Sequence, residues 1–296
     1  MSDPNPRLGL SSYFSQKSLS RSKFRSDSEK IDQYLNAVDL AVRNDRRFKR
    51  FKRDKSYQIV LEHVTEQLGS KYLEVILSRE DGFFENGIES INQQDEVGSP
   101  IKYRYETPLG QMLLSPTTLR YLKVASDING LFGSSFEYVS EIGGGYGGQA
   151  LVNDQLLRVK RVEIFDLPIV NNLITKYLNI PVLNGSFSVS TLNQAVEKSY
   201  DLVISNYAFS ELPIELQTQY LKKVIAKSKC GYLTMNTGLN ANKNQNGRIT
   251  PEQFRTLIPS SEIFEETPPT NGDKNWLIVW GHQTQFASKF FSIKKF

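Results

Sequence analysis

The feature that most constrains this chain is a glycine-rich stretch, VSEIGGGYGGQALV, which runs from Val139 to Val152. Five of the six residues at its centre are glycine, and each costs backbone entropy on folding. Gly143, Gly145 and Gly148 satisfy the pattern G-x-G-x-x-G. The pattern follows a predicted strand and precedes a predicted helix, the context in which bare backbone amides hold a nucleotide-type ligand.

Predicted strands and helices alternate from this stretch onward. The strands are FEYVSEIG, VEIFD, a short PVLNGSF, YDLVISN and GYLTMNT, and the helices follow Gly148 and cover PIVNNLITKYLN, STLNQAVEKS and PIELQTQYLKKVIAKS. A further short helix, TPEQFRTLI, has Thr250 as its N-cap. The last two strands, SEIFEET and NWLIVWGH, have only the turn PPTNGDK between them. This order predicts an α/β fold with a parallel sheet and one antiparallel terminal strand.

The N-terminal part has a different pattern. From about Ser28 to Leu77 the apolar residues recur at three and four positions, which predicts helix. A further helix is expected from near Pro116 to Gly130 or Gly133. We therefore divide the chain into a flexible segment 1–28 rich in Ser, Lys and Arg, a mostly helical cap region 29–115, an α/β domain 116–285 and a tail 286–296.

The composition argues against a membrane-spanning, secreted or disulfide-bonded protein. No run reaches the roughly 20 apolar residues of a membrane span, and the N-terminus lacks the apolar core of a signal peptide. Cys230 is the only cysteine, and the two histidines, His63 and His282, lie far apart. We therefore predict a cytoplasmic protein with no membrane span, no disulfide and no bound metal. The sequence leaves the oligomeric state open, including a homo-oligomer.

A dense basic run, RNDRRFKRFKRDK, covers residues 43–55. It fits two descriptions: a contact surface for phosphate or nucleic acid, or a solvated helix face with Phe48 and Phe51 turned inward. The net charge of the whole chain is only +4. This balance does not indicate a dedicated nucleic-acid binder.

Two acidic residues indicate which ligand the glycine stretch holds. Asp166 ends the strand VEIFD, 23 positions after Gly143, where a carboxylate binds both hydroxyls of a ribose. Glu141 lies two residues before Gly143. A carboxylate there would oppose the pyrophosphate of a dinucleotide at the helix N-terminus. It suits S-adenosylmethionine, which carries an ammonium and a sulfonium and no phosphate.

Five segments resemble known sequences: LSPTTLRYLKV, EIGGGYGGQA, IFDLP, ISNYAFSEL and WLIVWGH. The stretch from Glu141 to Gly148 resembles motif I of class I S-adenosylmethionine-dependent methyltransferases. The combination resembles the bacterial sugar O-methyltransferase family over roughly Gly98 to His282, about two thirds of the chain. The resemblance implies a Rossmann-like class I methyltransferase sheet, S-adenosyl-L-methionine as cofactor, and a sugar or glycan precursor as acceptor. The chain departs from related small-molecule enzymes at 184–187, where an Asp often contacts the adenine.

Candidate site residues follow from the motifs and from the rule that ligands of open α/β sheets lie beyond the C-terminal strand ends. The predicted cofactor-binding residues are Glu141, Gly143, Gly145, Tyr146, Gly147, Asp166, Leu167, Ser186, Phe187 and Asn206. The predicted catalytic residues are Glu211 as first candidate base, His282 because of its pKa range, and Tyr207. The predicted acceptor-binding residues are Tyr103, Tyr105, Arg120 and Asn236.

Each assignment has a structural alternative. Glu211 could serve only to cap the helix that begins near Pro213, and Tyr146, Tyr103 and Tyr105 could be packing residues. Two other functions use the same motifs. A NAD-dependent oxidoreductase shares the glycine stretch and the acidic strand end, and a non-catalytic scaffold would retain the pocket and use the basic run as its partner surface.

Overall fold

The computed structural model describes residues 21–236, 249–270 and 275–294. The part before the sheet consists of helices and one hairpin. The helices are α1 (Arg21–Arg43), α2 (Asp45–Phe48), α3 (Lys55–Gln58), α4 (Glu66–Leu77) and α5 (Ile88–Gln94), with a 3-10 turn at Phe51–Arg53. The hairpin pairs β1 (Tyr103–Thr107) with β2 (Gly110–Leu114).

The region predicted as helical from Ser28 to Leu77 is not one continuous helix. Asn44, Asp54 and Thr65 each accept a hydrogen bond from a backbone N–H two or three residues ahead. Such residues start new helices, because their side chains satisfy amides that have no partner within the helix. The apolar periodicity correctly indicates helix, but these capping residues divide the region into several shorter helices. The hairpin was not predicted, and Gly110, at φ +93°, lies at its turn.

The second part is a seven-stranded sheet in the order β5-β4-β3-β6-β7-β9-β8. Its strands are β3 (Ser135–Ile142), β4 (Arg158–Phe165), β5 (Ser186–Ser190), β6 (Tyr200–Asn206), β7 (Ser228–Asn236), β8 (Glu262–Glu265) and β9 (Asn275–Trp280). All neighbours pair in parallel except those of β9, which lies antiparallel between β7 and β8. The predicted Rossmann-like α/β sheet, parallel with one antiparallel terminal strand, is confirmed.

Helices complete the sheet. They are α6 (Pro116–Phe132), α7 (Gly148–Leu156), α8 (Pro168–Leu178), α9 (Ala208–Glu211), α10 (Ile214–Lys223), α11 (Pro251–Leu257) and α12 (Thr284–Phe290). Thr250 caps α11 with a capping box, as predicted. Helix α12 begins just before the segment 286–296 that was predicted as a tail. Residues 21–28, placed in the flexible segment by the sequence, form the first turns of α1, and residues 1–20 lie outside the described part of the chain.

The helix predicted over Ser190–Ser199 is wrong. The strand expected near PVLNGSF lies later, at Ser186–Ser190, and only a 3-10 turn at Leu192–Gln194 follows it. The carboxylate of Asp154 explains the shift, because it accepts hydrogen bonds from the backbone N–H groups of Asn184 and Gly185 at 2.8 Å each. These contacts hold residues 184–185 as a turn, so the strand begins after them.

The basic run 43–55 folds largely as the second description predicts. Phe48 and Phe51 are buried, whereas Arg46, Arg47, Lys49 and Arg50 are exposed. Lys52 is an exception that the sequence did not indicate, because it is fully buried. Its Nζ lies 2.6 Å from Oδ1 of Asp95, whose other oxygen accepts a hydrogen bond from Thr118 at 2.6 Å. This buried pair joins the basic run to the start of α6.

We expect Lys52→Met to lower the free energy of unfolding by about 3–5 kcal/mol, because the change leaves the Asp95 carboxylate buried without its cation. Urea unfolding monitored by circular dichroism measures this loss. Lys160→Met is the matched control. Its pair with Glu137 is largely exposed, and we expect a loss below about 1 kcal/mol. Similar losses in the two variants would contradict a structural role for the buried pair.

Candidate cofactor and acceptor site at the C-terminal edge of the sheet

The glycine loop lies at the edge of the sheet where the parallel strands end. Gly143, Gly145 and Gly147 have φ angles of +80°, +62° and +93°, which other residues adopt only with strain. The N–H of Gly143 donates to the carbonyl of Phe165 at 2.8 Å, which joins the ends of β3 and β4. Gly147 is the N-cap residue of α7. The loop therefore needs glycine for its backbone conformation at each of these three predicted positions.

Asp166 contacts this loop directly. Its Oδ2 accepts a hydrogen bond from the N–H of Gly145 at 3.1 Å, and its Oδ1 accepts one from the N–H of Leu167 at 2.7 Å. Burial raises the pKa of Asp166 to about 6 against these hydrogen bonds. Leu167 follows at the start of α8 and is about one-third exposed. The structure thus brings the predicted ribose-binding carboxylate and the glycine loop together.

Glu141 lies under the same loop with an unsatisfied carboxyl group. The side chain is buried, and its Oε2 has no hydrogen-bond partner among the described residues. Burial, and then the charge of Asp166, raises the pKa of Glu141 to about 8. A buried carboxyl oxygen without a partner is costly. A cationic ligand group would provide the missing partner, and the residues present therefore fit the ammonium of S-adenosylmethionine.

Two predicted cofactor contacts lie elsewhere. Ser186 stands opposite Arg161 in the register of β5 with β4, whereas Phe165 stands opposite Ser190. Ser186 and Phe187 are therefore at the start of β5, and Ser186 is about 13 Å from the edge that carries Asp166. That prediction was wrong because the strand begins later than expected.

Ser190 occupies the strand end instead. Its carbonyl accepts a hydrogen bond from the N–H of Asp166 at 3.1 Å. The alternation in SFSVS was the signal that could have identified β5 and hence its end.

Tyr146 belongs to the core and does not face the open side of the loop. Its ring is buried against Tyr121 and Tyr177, with centroid distances of 5.9 and 4.9 Å. Phe51 adds an edge contact at 5.7 Å, and the ammonium of Lys52 lies 4.4 Å from the ring centroid. The aromatic residue of the loop thus attaches the cap region to the sheet, which is the packing alternative.

The cap region also covers the outer side of the loop. A Cβ atom placed on Gly145 would lie 3.1 Å from the side chain of Leu61. The charge of Asp166 helps to raise the pKa of Tyr34 on α1, so that phenol lies within electrostatic range of the carboxylate. Leu61 therefore lies against the side of Gly145 that has no side chain.

A second concavity lies beside the loop, at the ends of β6 and β7. Asn206 ends β6, and its Nδ2 donates to Oε1 of Gln149 on α7 at 3.2 Å. The next residue, Tyr207, has φ +69°, a strained value for a residue with a bulky side chain. Strain of this kind is found at functional sites that the surrounding structure supports. The cavity is lined by Tyr72, Arg120, Lys123, Asn206, Tyr207 and Glu266, among others.

Glu266 is the acidic residue that lines this cavity, and it is not among the site residues predicted from the sequence. One oxygen accepts hydrogen bonds from the hydroxyls of Tyr207 and of Thr270, the latter at 2.8 Å. The other accepts from the N–H of Thr270 at 2.9 Å and from Nδ2 of Asn275 at 2.8 Å. Burial raises the pKa of Tyr207 well above its ordinary value, so the phenol keeps its proton. Glu266 directly follows β8, a strand-end position that could have indicated it.

Glu211 and Asn236 contact each other outside this cavity. Oε1 of Glu211 accepts a hydrogen bond from Nδ2 of Asn236 at 2.8 Å, and the Asn236 N–H donates to the hydroxyl of Ser210 at 3.0 Å. Glu211 is exposed at the end of the short helix α9, two residues before Pro213. Its role as the base stays a prediction.

His282 lies at the opposite edge of the sheet. Because β9 is antiparallel, its last residue, Trp280, pairs with Gly231 near the beginning of β7. The imidazole is buried against Phe264, and its Nε2 lies 3.6 Å from a carboxylate oxygen of Glu262. Burial lowers its pKa. The prediction of His282 as a catalytic base was wrong, because the direction of β9 carries it away from the cofactor loop.

The predicted acceptor residues separate in the same way. Arg120, on α6, lines the cavity. Tyr105 is buried in the hairpin and its hydroxyl donates to the carbonyl of Glu66 at 3.3 Å. Tyr103 pairs with Leu114 across the hairpin. Neither tyrosine is among the residues that line the cavity, so both take the packing alternative.

The described residues contain no group of three histidine, cysteine, aspartate or glutamate side chains arranged to hold a metal ion. None of the described helices is both long enough and apolar enough to span a membrane.

Comparison with known proteins gives structural matches alone. No family model matches the sequence, and no curated protein matches it. Among solved structures, the chain is similar to an N-methyltransferase from Bradyrhizobium japonicum, with 10% identity, coverage of 56% of this chain and 93% of that one, and a TM-score of 0.41. It is similar to a magnesium protoporphyrin IX methyltransferase from Synechocystis with bound SAH, with 14% identity, 55% and 81% coverage, and a TM-score of 0.42. It is also similar to a TehB-like SAM-dependent methyltransferase from Corynebacterium glutamicum, with 15% identity, coverage of 50% of this chain and 82% of that one, and a TM-score of 0.37.

Three carboxyl groups whose pKa values are raised, those of Glu141, Asp166 and Glu62, predict how the stability of the protein depends on pH. The pKa of Glu141 is raised to about 8, and those of Asp166 and Glu62 to about 6 and 7. The ligand-free folded protein therefore holds protons that the unfolded chain releases near pH 4–5. Stability should fall as pH rises from about 4.5 to 8, by about 1.4 kcal/mol per pH unit for each such proton.

Glu141→Gln should flatten this dependence and raise the free energy of unfolding at pH 8. Urea unfolding at pH 5, 6, 7 and 8 measures it. Glu137→Gln, which changes an exposed carboxylate, should leave the slope as it is. An unchanged slope in Glu141→Gln would show that Glu141 ionises without cost.

Proposed function

We propose that this protein is an S-adenosylmethionine-dependent methyltransferase that acts on a hydroxyl of a sugar or glycan precursor. The observation that supports this most is the Glu141 carboxyl group, buried with one oxygen unpartnered directly before the glycine loop. Its position suits a ligand whose end is cationic. A pyrophosphate would oppose ionisation of this carboxyl group and give its free oxygen no cationic partner, which favours the methyltransferase over an oxidoreductase.

The residues around the loop divide the binding of S-adenosylmethionine among them. Glu141 would pair with the ammonium group. Gly143 and Gly145 allow close approach of the backbone, and Asp166 would accept hydrogen bonds from the ribose hydroxyls. Leu167, exposed at the start of α8, offers an apolar surface for the adenine. The bound cofactor supplies an electrophilic methyl group on sulfur and leaves as a neutral thioether.

The acceptor side of the reaction belongs to the cavity beside the loop. Methyl transfer requires the acceptor oxygen in line with the methyl group, and positioning accounts for much of the rate. An alkyl hydroxyl must also lose its proton, and a general base assists this step. We place the base at the Tyr207–Glu266 pair. The acceptor hydroxyl gives its proton to the Tyr207 oxygen while Tyr207 gives its own proton to Glu266.

This relay follows from the environment of the two groups. Burial keeps Tyr207 protonated, so the phenol does not act as a base by itself. Its hydroxyl already donates to the Glu266 carboxylate, so one proton moves along an existing hydrogen bond. Glu211 is the rival base. It is exposed and is held by Asn236, so it would act from outside the cavity.

Calorimetric titration with S-adenosylmethionine, S-adenosylhomocysteine and NAD tests the cofactor. We expect the first two to bind and NAD not to bind. Asp166→Ala should weaken binding of S-adenosylhomocysteine by about tenfold or more, because a hydrogen bond to a charged group contributes about 1.5–3 kcal/mol. Binding of NAD alone would favour the oxidoreductase, and unchanged affinity in a folded Asp166→Ala protein would remove the ribose assignment.

Turnover separates the two candidate bases. The assay follows release of S-adenosylhomocysteine with monosaccharides, uronic acids and sugar phosphates as acceptors. Tyr207→Phe should lower turnover by about 100-fold or more while S-adenosylhomocysteine binds as before. Glu211→Gln should leave turnover near that of the wild type. A loss in Glu211→Gln with normal turnover in Tyr207→Phe would move the base to Glu211. Cofactor binding without turnover on any acceptor would favour the scaffold.

A further inference from the structure

Arg120 is a buried cation without an anionic partner. Only 7% of its surface is exposed, and it lines the cavity that also contains Tyr207. Across the described residues no carboxylate lies within 4.0 Å of its guanidinium, and its Nε has no hydrogen-bond partner. Its neighbours are phenols, with the Tyr121 ring centroid 5.3 Å from the guanidinium carbon. Burying a charge in this way is costly.

Two carboxylates, that of Glu266, which lines the cavity, and that of Asp127, which pairs with the cavity residue Lys123, are already engaged. Glu266 accepts four hydrogen bonds from three other residues. Asp127 is shared by two buried cations, Arg79 and Lys123, and it also accepts a hydrogen bond from Tyr232. Asp127 is thus paired with Arg79 and Lys123, and Glu266 is held by neutral donors, so neither forms an ion pair with Arg120 in the described part of the chain.

Glu62 does not supply the missing charge. It lies within electrostatic range of Arg120, but the stronger attraction on it comes from Lys52. Burial raises the pKa of Glu62 to about 7, which weakens it as a counter-charge near neutral pH. Arg120 thus lacks a paired carboxylate among the described residues, and an incoming anion would supply one.

We propose that Arg120 binds an anionic group of the acceptor, a carboxylate or a phosphate, and so sets which sugars this protein methylates. The planar guanidinium matches both groups by paired hydrogen bonds. The cavity has a volume of about 20 Å³, room for one water molecule, which an oxygen of the anion would replace. Arg120 and Tyr207 line the same cavity, so an acceptor that widens it would place its anion at Arg120 and a nearby hydroxyl at Tyr207. This inference rests on the proposed function and names its substrate class.

The test measures binding of glucuronate, glucose 6-phosphate and neutral glucose by calorimetry. The full-length protein is saturated with S-adenosylhomocysteine in a buffer low in anions. We expect at least one of the two anionic sugars to bind about tenfold or more tightly than glucose, the size of one charge-assisted hydrogen bond. The stronger of the two identifies carboxylate or phosphate as the group recognised.

Variants separate binding from folding. Arg120→Gln should abolish the preference for the anionic sugar and raise the Tm of the ligand-free protein, because it removes an unpaired buried charge. Arg120→Lys, which keeps the charge, should retain part of the preference. Arg104→Gln removes an exposed arginine of the hairpin and is the matched control, which should behave as the wild type.

The outcomes are distinguishable from those of the cofactor test. Equal binding of all three sugars, binding of none, or a preference that survives Arg120→Gln would overturn the role of Arg120. If S-adenosylhomocysteine binds in those cases, the proposed function stands. If S-adenosylhomocysteine fails to bind while Arg120 still selects the anion, only the proposed function is lost.

Discussion

The hydrogen bond from the N–H of Gly145 to the Asp166 carboxylate is the contact on which the rest of the site depends. It forms because three glycines in the loop adopt positive φ angles, which lets the chain leave β3, pass beside the end of β4 and enter α7 within six residues. A residue with a Cβ atom would be strained in these backbone conformations. The same turn leaves Glu141 beneath the loop, so one backbone conformation brings two acidic groups and a helix start to one place.

The buried ionisable groups of this protein fall into two kinds. Lys52 and Asp95, both in the cap region, satisfy each other, and Asp95 also accepts a hydrogen bond from Thr118 of α6. Glu141 and Arg120 are buried as deeply, but neither has an oppositely charged side chain in contact among the residues described. Each such group lowers the stability of the fold. Both lie at the C-terminal edge of the sheet, and their opposite signs suit a cationic ligand end at one and an anionic acceptor at the other.

The cap region contacts both the glycine loop and the neighbouring cavity. Its Phe51 packs edge-on against Tyr146 in the core, while Leu61 lies against Gly145 on the outer side of the loop. Tyr72, from α4, reaches the cavity that contains Arg120 and Tyr207. The cap region thus contacts the loop both on its core side and on its outer side.

The sequence by itself determined the features that depend on neighbouring residues. These are the glycine loop between a strand and a helix, the acidic strand end at Asp166, the cap at Thr250 and the alternation that makes an α/β sheet. Only the tertiary structure decided which end of a strand faces the site. The antiparallel direction of β9 removes His282 from the site, and the direction of β8 brings Glu266 to it. The register of β5 likewise places Ser186 at the far end. Strand direction and register depend on pairing between residues far apart in the chain, which local patterns do not encode.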